Sequence, residues 1–259
     1  MSSVALVSLF QVVALILDGL IAVKLLRCGL YRRYRVFFAY LIFMVPYGIW
    51  FLLLDTSSNL YQKSWVVTEP ILWAFYITLI VELYGLILEK HKGLYTLGRW
   101  VMYAGLSIST LISALALLPH ITPAQRQITQ VMPYIWAGER AVNLSLALFI
   151  LLILLFLSTY PVPLSRNVIT HAAVYSIFFL SGTLWVVVRT LFGLRLSDLM
   201  NLIVMAISCL CLTAWLILLS PKGEEVRSGS VLHFSQEHED RVLQTLDALN
   251  ATMLKISRK

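Results

Sequence analysis

The stretch MPYIWAGERAVNLSLALFILLILLFL, residues 132–157, decides the class of this chain. From Ala141 to Leu157 only Asn143 and Ser145 interrupt the apolar run. A helix needs about 20 consecutive apolar residues to cross the roughly 30 Å hydrocarbon layer of a bilayer. At the front edge stand Glu139 and Arg140, side by side. Charges at the mouth of such a segment either anchor in the headgroups or turn inward and hold something.

The rest of the chain has the same character. Of its 259 residues, 59% are hydrophobic and 13% are charged. Soluble domains carry about 25% charged and 45–50% apolar residues. Seven apolar runs are long enough to span: 4–26, 34–54, 65–88, 98–118, 132–157, 168–192 and 198–219. Backbone inside lipid must satisfy its own hydrogen bonds, so these runs predict helices. No stretch alternates as barrel strands do. The expected fold is an all-α, polytopic membrane bundle of seven transmembrane helices over residues 1–220. A polar linker, 221–234, and a cytoplasmic amphipathic helix, 235–257, follow it.

Lys and Arg in short loops set orientation. Ten lie around the odd-numbered loops and the start of the tail: Arg27, Arg32, Arg33, Arg35, Lys90, Lys92, Arg99, Arg166, Lys222 and Arg227. Three lie in the even-numbered loops: Lys63, Arg126 and Arg195. The odd loops are therefore expected in the cytoplasm and the N-terminus outside. Residues 4–26 lack the positive start and small-residue cleavage site of a signal peptide, so they read as a retained span. The net charge of +7 resides in these loops, which fits membrane orientation and not nucleic-acid binding. Cys28, Cys209 and Cys211 offer neither a disulfide framework nor metal-ligand spacing, and read as small apolar filler. Gly105, Ser109 and Ser113 recur at four-residue spacing in the fourth span, a helix-packing signal.

Ionisable residues within spans are costly and are functional candidates by default. With the assigned directions, Glu69, Glu139, Arg140, Arg189, Asp198 and Asn201 share one level, the outer third, from four helices. Trp73, Tyr76, Tyr134, Trp136 and Trp185 share it too. Arg140 and Asn143 are three apart, and Glu139 and Asn143 four apart, so all three occupy one helix face. His171, Tyr175, Phe178, Gly182, Trp185 and Arg189 form one stripe along the sixth span. The expected ligand-binding set is Glu69, Trp73, Tyr76, Trp136, Glu139, Arg140, Asn143, Trp185, Arg189 and Asn201, around an outward-opening pocket. Bland readings stand beside it: arginines snorkel, aromatics form interface belts, and Glu69-Pro70 reads as a helix start. Asp18 reads as a partner of Lys24 or of a neighbouring helix. Glu82, deeper in the third span, is a candidate for proton coupling or for bonding a neighbouring helix.

Several chemistries are disfavoured. The last span has no lysine for a retinal Schiff base, and only His171 among five histidines lies in a span. There is no G-x-S-x-G elbow, phosphate loop or haem-type histidine pair. No catalytic residue, metal or cofactor is expected.

In the tail, Val242, Leu246, Leu249, Met253 and Ile256 step by four and three, a short coiled-coil-like seam for self-association or a cytoplasmic partner. Ser235 suits its cap, acidic residues its first turns, and Lys255, Arg258 and Lys259 its end.

YRRYRVFFAYLIF at 31–43 and WVVTEPILWAFYITLIVELYGLILEKHKGLYTLGR at 65–99, with the span count, resemble a group of bacterial seven-span membrane proteins without assigned function. The resemblance implies a bacterial inner membrane and supplies no site residues. The expected function is a receptor or sensor that binds a small polar or anionic molecule. Arg140 and Arg189 would meet the anion, and Glu69 and Glu139 would orient them. The alternatives are a transporter or permease, proton-coupled through Glu82, and a scaffold that assembles through its tail.

Overall fold

A computed structural model describes residues 3–55, 58–87, 131–159, 164–192 and 197–224, with residues 100, 103, 104, 107 and 108. The described part is all-helical. Its long helices are α1 (Ser3–Arg27), α2 (Arg35–Leu53), α3 (Asn59–Ile87), α4 (Val131–Thr159), α5 (Arg166–Phe192) and α6 (Ser197–Leu218). Short 3-10 turns at Leu30–Arg32 and Pro221–Glu224 follow α1 and α6. Five of the long helices, all but α4, are long and apolar enough to cross a membrane, and α4 carries a shorter apolar core, Val142–Leu155. The predicted fourth span, 98–118, falls almost wholly outside the described residues, as does the tail helix 235–257 with its seam. Six helices, not seven, are thus described.

Each helix packs on the next in chain order, and α6 returns to α1. The result is a closed ring, with α3 also touching α5 across it. Ile21, Leu25, Phe37, Leu41, Leu79, Ile80, Leu146, Ile150, Phe179 and Leu219 fill the interior. The outer faces are equally apolar: Leu20, Val23, Leu155, Leu210 and Ile217 are all exposed. Water would not leave such faces uncovered, whereas lipid covers them at no cost.

Contacts fix the helix directions. Trp73 meets Gly138 and Tyr84 meets Phe149, and both pairs are 65 positions apart in sequence. A constant offset means that α3 and α4 run parallel. Phe10 with Cys209, and Lys24 with the carbonyl of Leu216, show α1 and α6 running the same way too. The other neighbours are antiparallel. Glu82 reaches Val36 and Phe37 near the start of α2, and Tyr61 meets Phe51 near its end.

Two predicted features are revised. Helix α3 begins at Asn59, so Pro70 lies in its interior and not in a first turn. Pro46 likewise lies inside α2. Each proline removes an N–H from the helical ladder. Lys24 does not pair with Asp18; its ammonium donates to the Leu216 carbonyl of α6.

The linker after α6 is anchored where it begins. Tyr34 Oη donates to Glu224 Oε1 at 2.7 Å, and Arg33 Nε lies 2.8 Å from Glu224 Oε2. Fully buried Asn167, at the start of α5, donates to Glu224 Oε1 at 2.5 Å and to the Ser220 carbonyl at 2.8 Å. Gly223 lies against this amide, and a Cβ there would collide with it. Burial first, and then the hydrogen bond to Glu224, raise the Tyr34 phenol above its ordinary range. The Tyr34 proton therefore stays in place to be donated. These bonds gather Arg33, Arg166 and Lys222 at one end of the ring.

Candidate functional site

Two neighbouring regions in one half of the bundle carry polar side chains. The first is the wall formed by α3, α4 and α5. Glu69 is half-buried there, close enough for charge repulsion with Glu139 on α4. The parallel register of α3 and α4 puts both carboxylates at similar depth. The outer edge of the Trp73 ring lies against Gly138, where any Cβ would strike it. Tyr76 is enclosed by Tyr40, Phe178 and Phe179, with ring centres 6.0, 5.9 and 5.5 Å away. Asn143 lies over Gly182, and its carbonyl accepts from Thr183 Oγ1 at 3.3 Å. Five expected site residues, Glu69, Trp73, Tyr76, Glu139 and Asn143, therefore lie on mutually packed helices. Trp185 is half-buried further along α5, and Asn201 is exposed on α6. The side chains of Trp136, Arg140 and Arg189 lie outside the described residues.

The second region is a cavity of about 240 Å³ between α1, α2, α3 and α6. Gln11 and Asp18 of α1 face Tyr47 and Phe51 of α2, Tyr61 and Trp65 of α3, and Ser208 of α6. Tyr47, Phe51 and Tyr61 form a continuous aromatic wall, with ring centres 4.6 and 5.1 Å apart. The cavity lies toward the start of α1, the end of α2 and the start of α3. It therefore lies in the half of the bundle away from the Arg33–Glu224 anchor. Helix α3 joins the two regions: Tyr61 and Trp65 line the cavity, and Glu69 and Trp73 follow on the same helix.

The sequence reading left this cavity out, although its spacing was present. Gln11 and Asp18 are seven apart, Tyr47 and Phe51 four, and Tyr61 and Trp65 four, so each pair occupies one helix face.

Glu82 and His171 have defined surroundings. Glu82 Oε1 accepts from the Val36 N–H at 2.8 Å, and Oε2 from the Phe37 N–H at 3.1 Å. The first N–H groups of a helix lack partners within it, and its positive end favours an anion. Tyr34, the residue before α2, makes no side-chain cap, so Glu82 of α3 caps α2 from outside. His171 is 1% exposed and stands among Tyr34, Phe37, Tyr175 and Trp215. Neither of its nitrogens makes a hydrogen bond among the described residues.

The described residues contain no group of three or more His, Cys, Asp or Glu side chains able to hold a metal ion. Comparisons of the chain with protein-family models, curated proteins and solved structures find no match. What the geometry of the described residues defines is an all-helical bundle, suited to lipid contact, with a polar-floored cavity walled by aromatic rings.

Proposed function

We propose that this is a seven-span integral membrane protein of receptor or sensor type. Its N-terminus is outside, and the cavity between α1, α2, α3 and α6 opens outward to bind a small polar molecule. The observation that carries this reading is a polar-floored cavity in the half of an apolar bundle away from the basic end. Basic loop ends favour the cytoplasm. The resemblance of residues 31–43 and 65–99 to bacterial proteins makes the inner membrane the proposed location.

The parallel packing of α3 and α4 supports the seventh span. Ile87 lies level with position 152 of α4, and Val131 level with position 66 of α3. The intervening chain must climb back by about 21 residues' worth of helix, about 31 Å at 1.5 Å per residue. That matches the hydrocarbon thickness of roughly 30 Å. Residues 98–118 are the apolar run available for the crossing.

One observation favours the transporter reading. Helices α2 and α3 both line the cavity, and each carries an interior proline, Pro46 and Pro70. Interrupted helices mark the moving parts of many transporters. Beyond Asp18, however, buried Ile21, Leu25, Phe37 and Leu41 close the way toward the basic end.

Labelling in intact cells tests the direction of opening. In a background with Cys28, Cys209 and Cys211 replaced by alanine, Ser208→Cys should react with a membrane-impermeant thiol reagent added outside. Tyr61→Trp, which narrows the cavity lining, should slow the reaction. Reaction only after the cells are opened would overturn the outward-facing pocket.

A further inference from the structure

Asp18 is the most deeply placed charged residue of the cavity. It is 4% exposed yet lines the cavity itself. Among the described residues nothing donates to its carboxylate. Lys24, the nearest lysine in sequence, is engaged with the Leu216 carbonyl. A carboxylate at such a site without a partner is costly, so the group either holds a proton or meets a cation. A cation bound in the cavity would let the Asp18 carboxylate stay ionised. The lining contains no Lys, Arg or His to serve as that cation.

The walls favour a cation as well. Aromatic faces are negative and attract cations within about 6 Å of the ring centre. Tyr47, Phe51, Tyr61 and Trp65 offer such rings in the lining that they share with Asp18. A carboxylate floor under aromatic walls is complementary to an organic cation and repels an anion. At roughly 30 Å³ per water, the cavity holds about eight waters' volume, which suits a molecule of about that many heavy atoms.

We propose that the cavity binds a small organic cation, an amine or alkylammonium, with the Asp18 carboxylate as its counterion and the Tyr47–Trp65 aromatics as its wall. The proposal rests on the outward pocket argued above and replaces the anionic ligand expected from sequence with a cationic one.

The test compares purified full-length protein in detergent against three probes of similar shape: 2-phenylethylammonium, 2-phenylethanol and phenylacetate. Melting temperature is followed up to about 10 mM of each probe, since a ligand of the folded state raises it with concentration. The cation should give a saturable rise, and the neutral and anionic probes none. Asp18→Asn, nearly the same shape, should weaken the cation about tenfold or more while the variant still melts cooperatively. Trp65→Ala, in the aromatic wall, should weaken it as well while leaving the carboxylate in place. Equal effects of alcohol and cation, undiminished cation binding in Asp18→Asn, or no rise with any probe would each overturn the proposal. The thiol-labelling result is independent, so an outward pocket that ignores amines would sink this inference and leave the pocket standing.

Discussion

Replacing Glu82 isolates one interaction whose size follows from the structure. Its two oxygens accept from Val36 and Phe37 at 2.8 and 3.1 Å and close the start of α2. A hydrogen bond to a charged group contributes about 1.5–3 kcal/mol. Glu82 is half-buried, so the lower end applies, and Glu82→Ala should cost about 3 kcal/mol for the two bonds together. Glu82→Gln keeps one acceptor oxygen but loses the charge at the helix dipole, and should cost about half as much. For a domain of about 200 residues, 1 kcal/mol corresponds to about 2–4 °C in Tm. Alanine should therefore lower the melting temperature by about 6–12 °C and glutamine by about 3–6 °C. The assay is thermal unfolding in one detergent at one scan rate, because membrane-protein unfolding is commonly irreversible. Both variants melting within about 1 °C of wild type would refute the capping role. It would also return Glu82 to the proton-coupling role expected from its depth.

Other outcomes follow from the packing. Gly138→Ala places a methyl group into the edge of the Trp73 ring and should cost about 1–3 kcal/mol, the usual effect of overpacking. Trp73→Leu in the same chain should recover part of that loss, and the coupling is read from a double-mutant cycle of melting temperatures. Asn167→Ala removes the bonds to Ser220 and Glu224, so trypsin should cut after Lys222 faster than in wild type. Tyr34→Phe should move tryptic cleavage in the same direction by a smaller amount, since it removes one hydrogen bond to Glu224 and keeps the ring.

How far the sequence carried is visible residue by residue. Span direction gives depth, and depth puts Glu69, Trp73, Tyr76 and Glu139 at one level, while helix spacing adds Asn143; α3, α4 and α5 pack on one another. Level does not say which helices are neighbours. The cavity at Asp18 depends on α6 lying beside α1, almost 200 residues away in the chain. That adjacency leaves no trace in local periodicity. Pro70 was misjudged because hydropathy marks where lipid begins, whereas the polar turn NLYQKS at 59–64 continues the helix beyond it. Glu224 looked like part of a loose polar linker, and only the fold brings Tyr34, Asn167 and Arg33 around it.

The account stands on the parallel pairing of α3 and α4 across a bilayer, which makes the chain between them cross back. Paired reporter fusions address this directly. Alkaline phosphatase, active only outside, and green fluorescent protein, fluorescent only inside, would each be joined after residue 93 and after residue 127. The account predicts fluorescence without phosphatase activity at 93, and phosphatase activity without fluorescence at 127. The same side at both positions would contradict the crossing, and with it the seven-span arrangement.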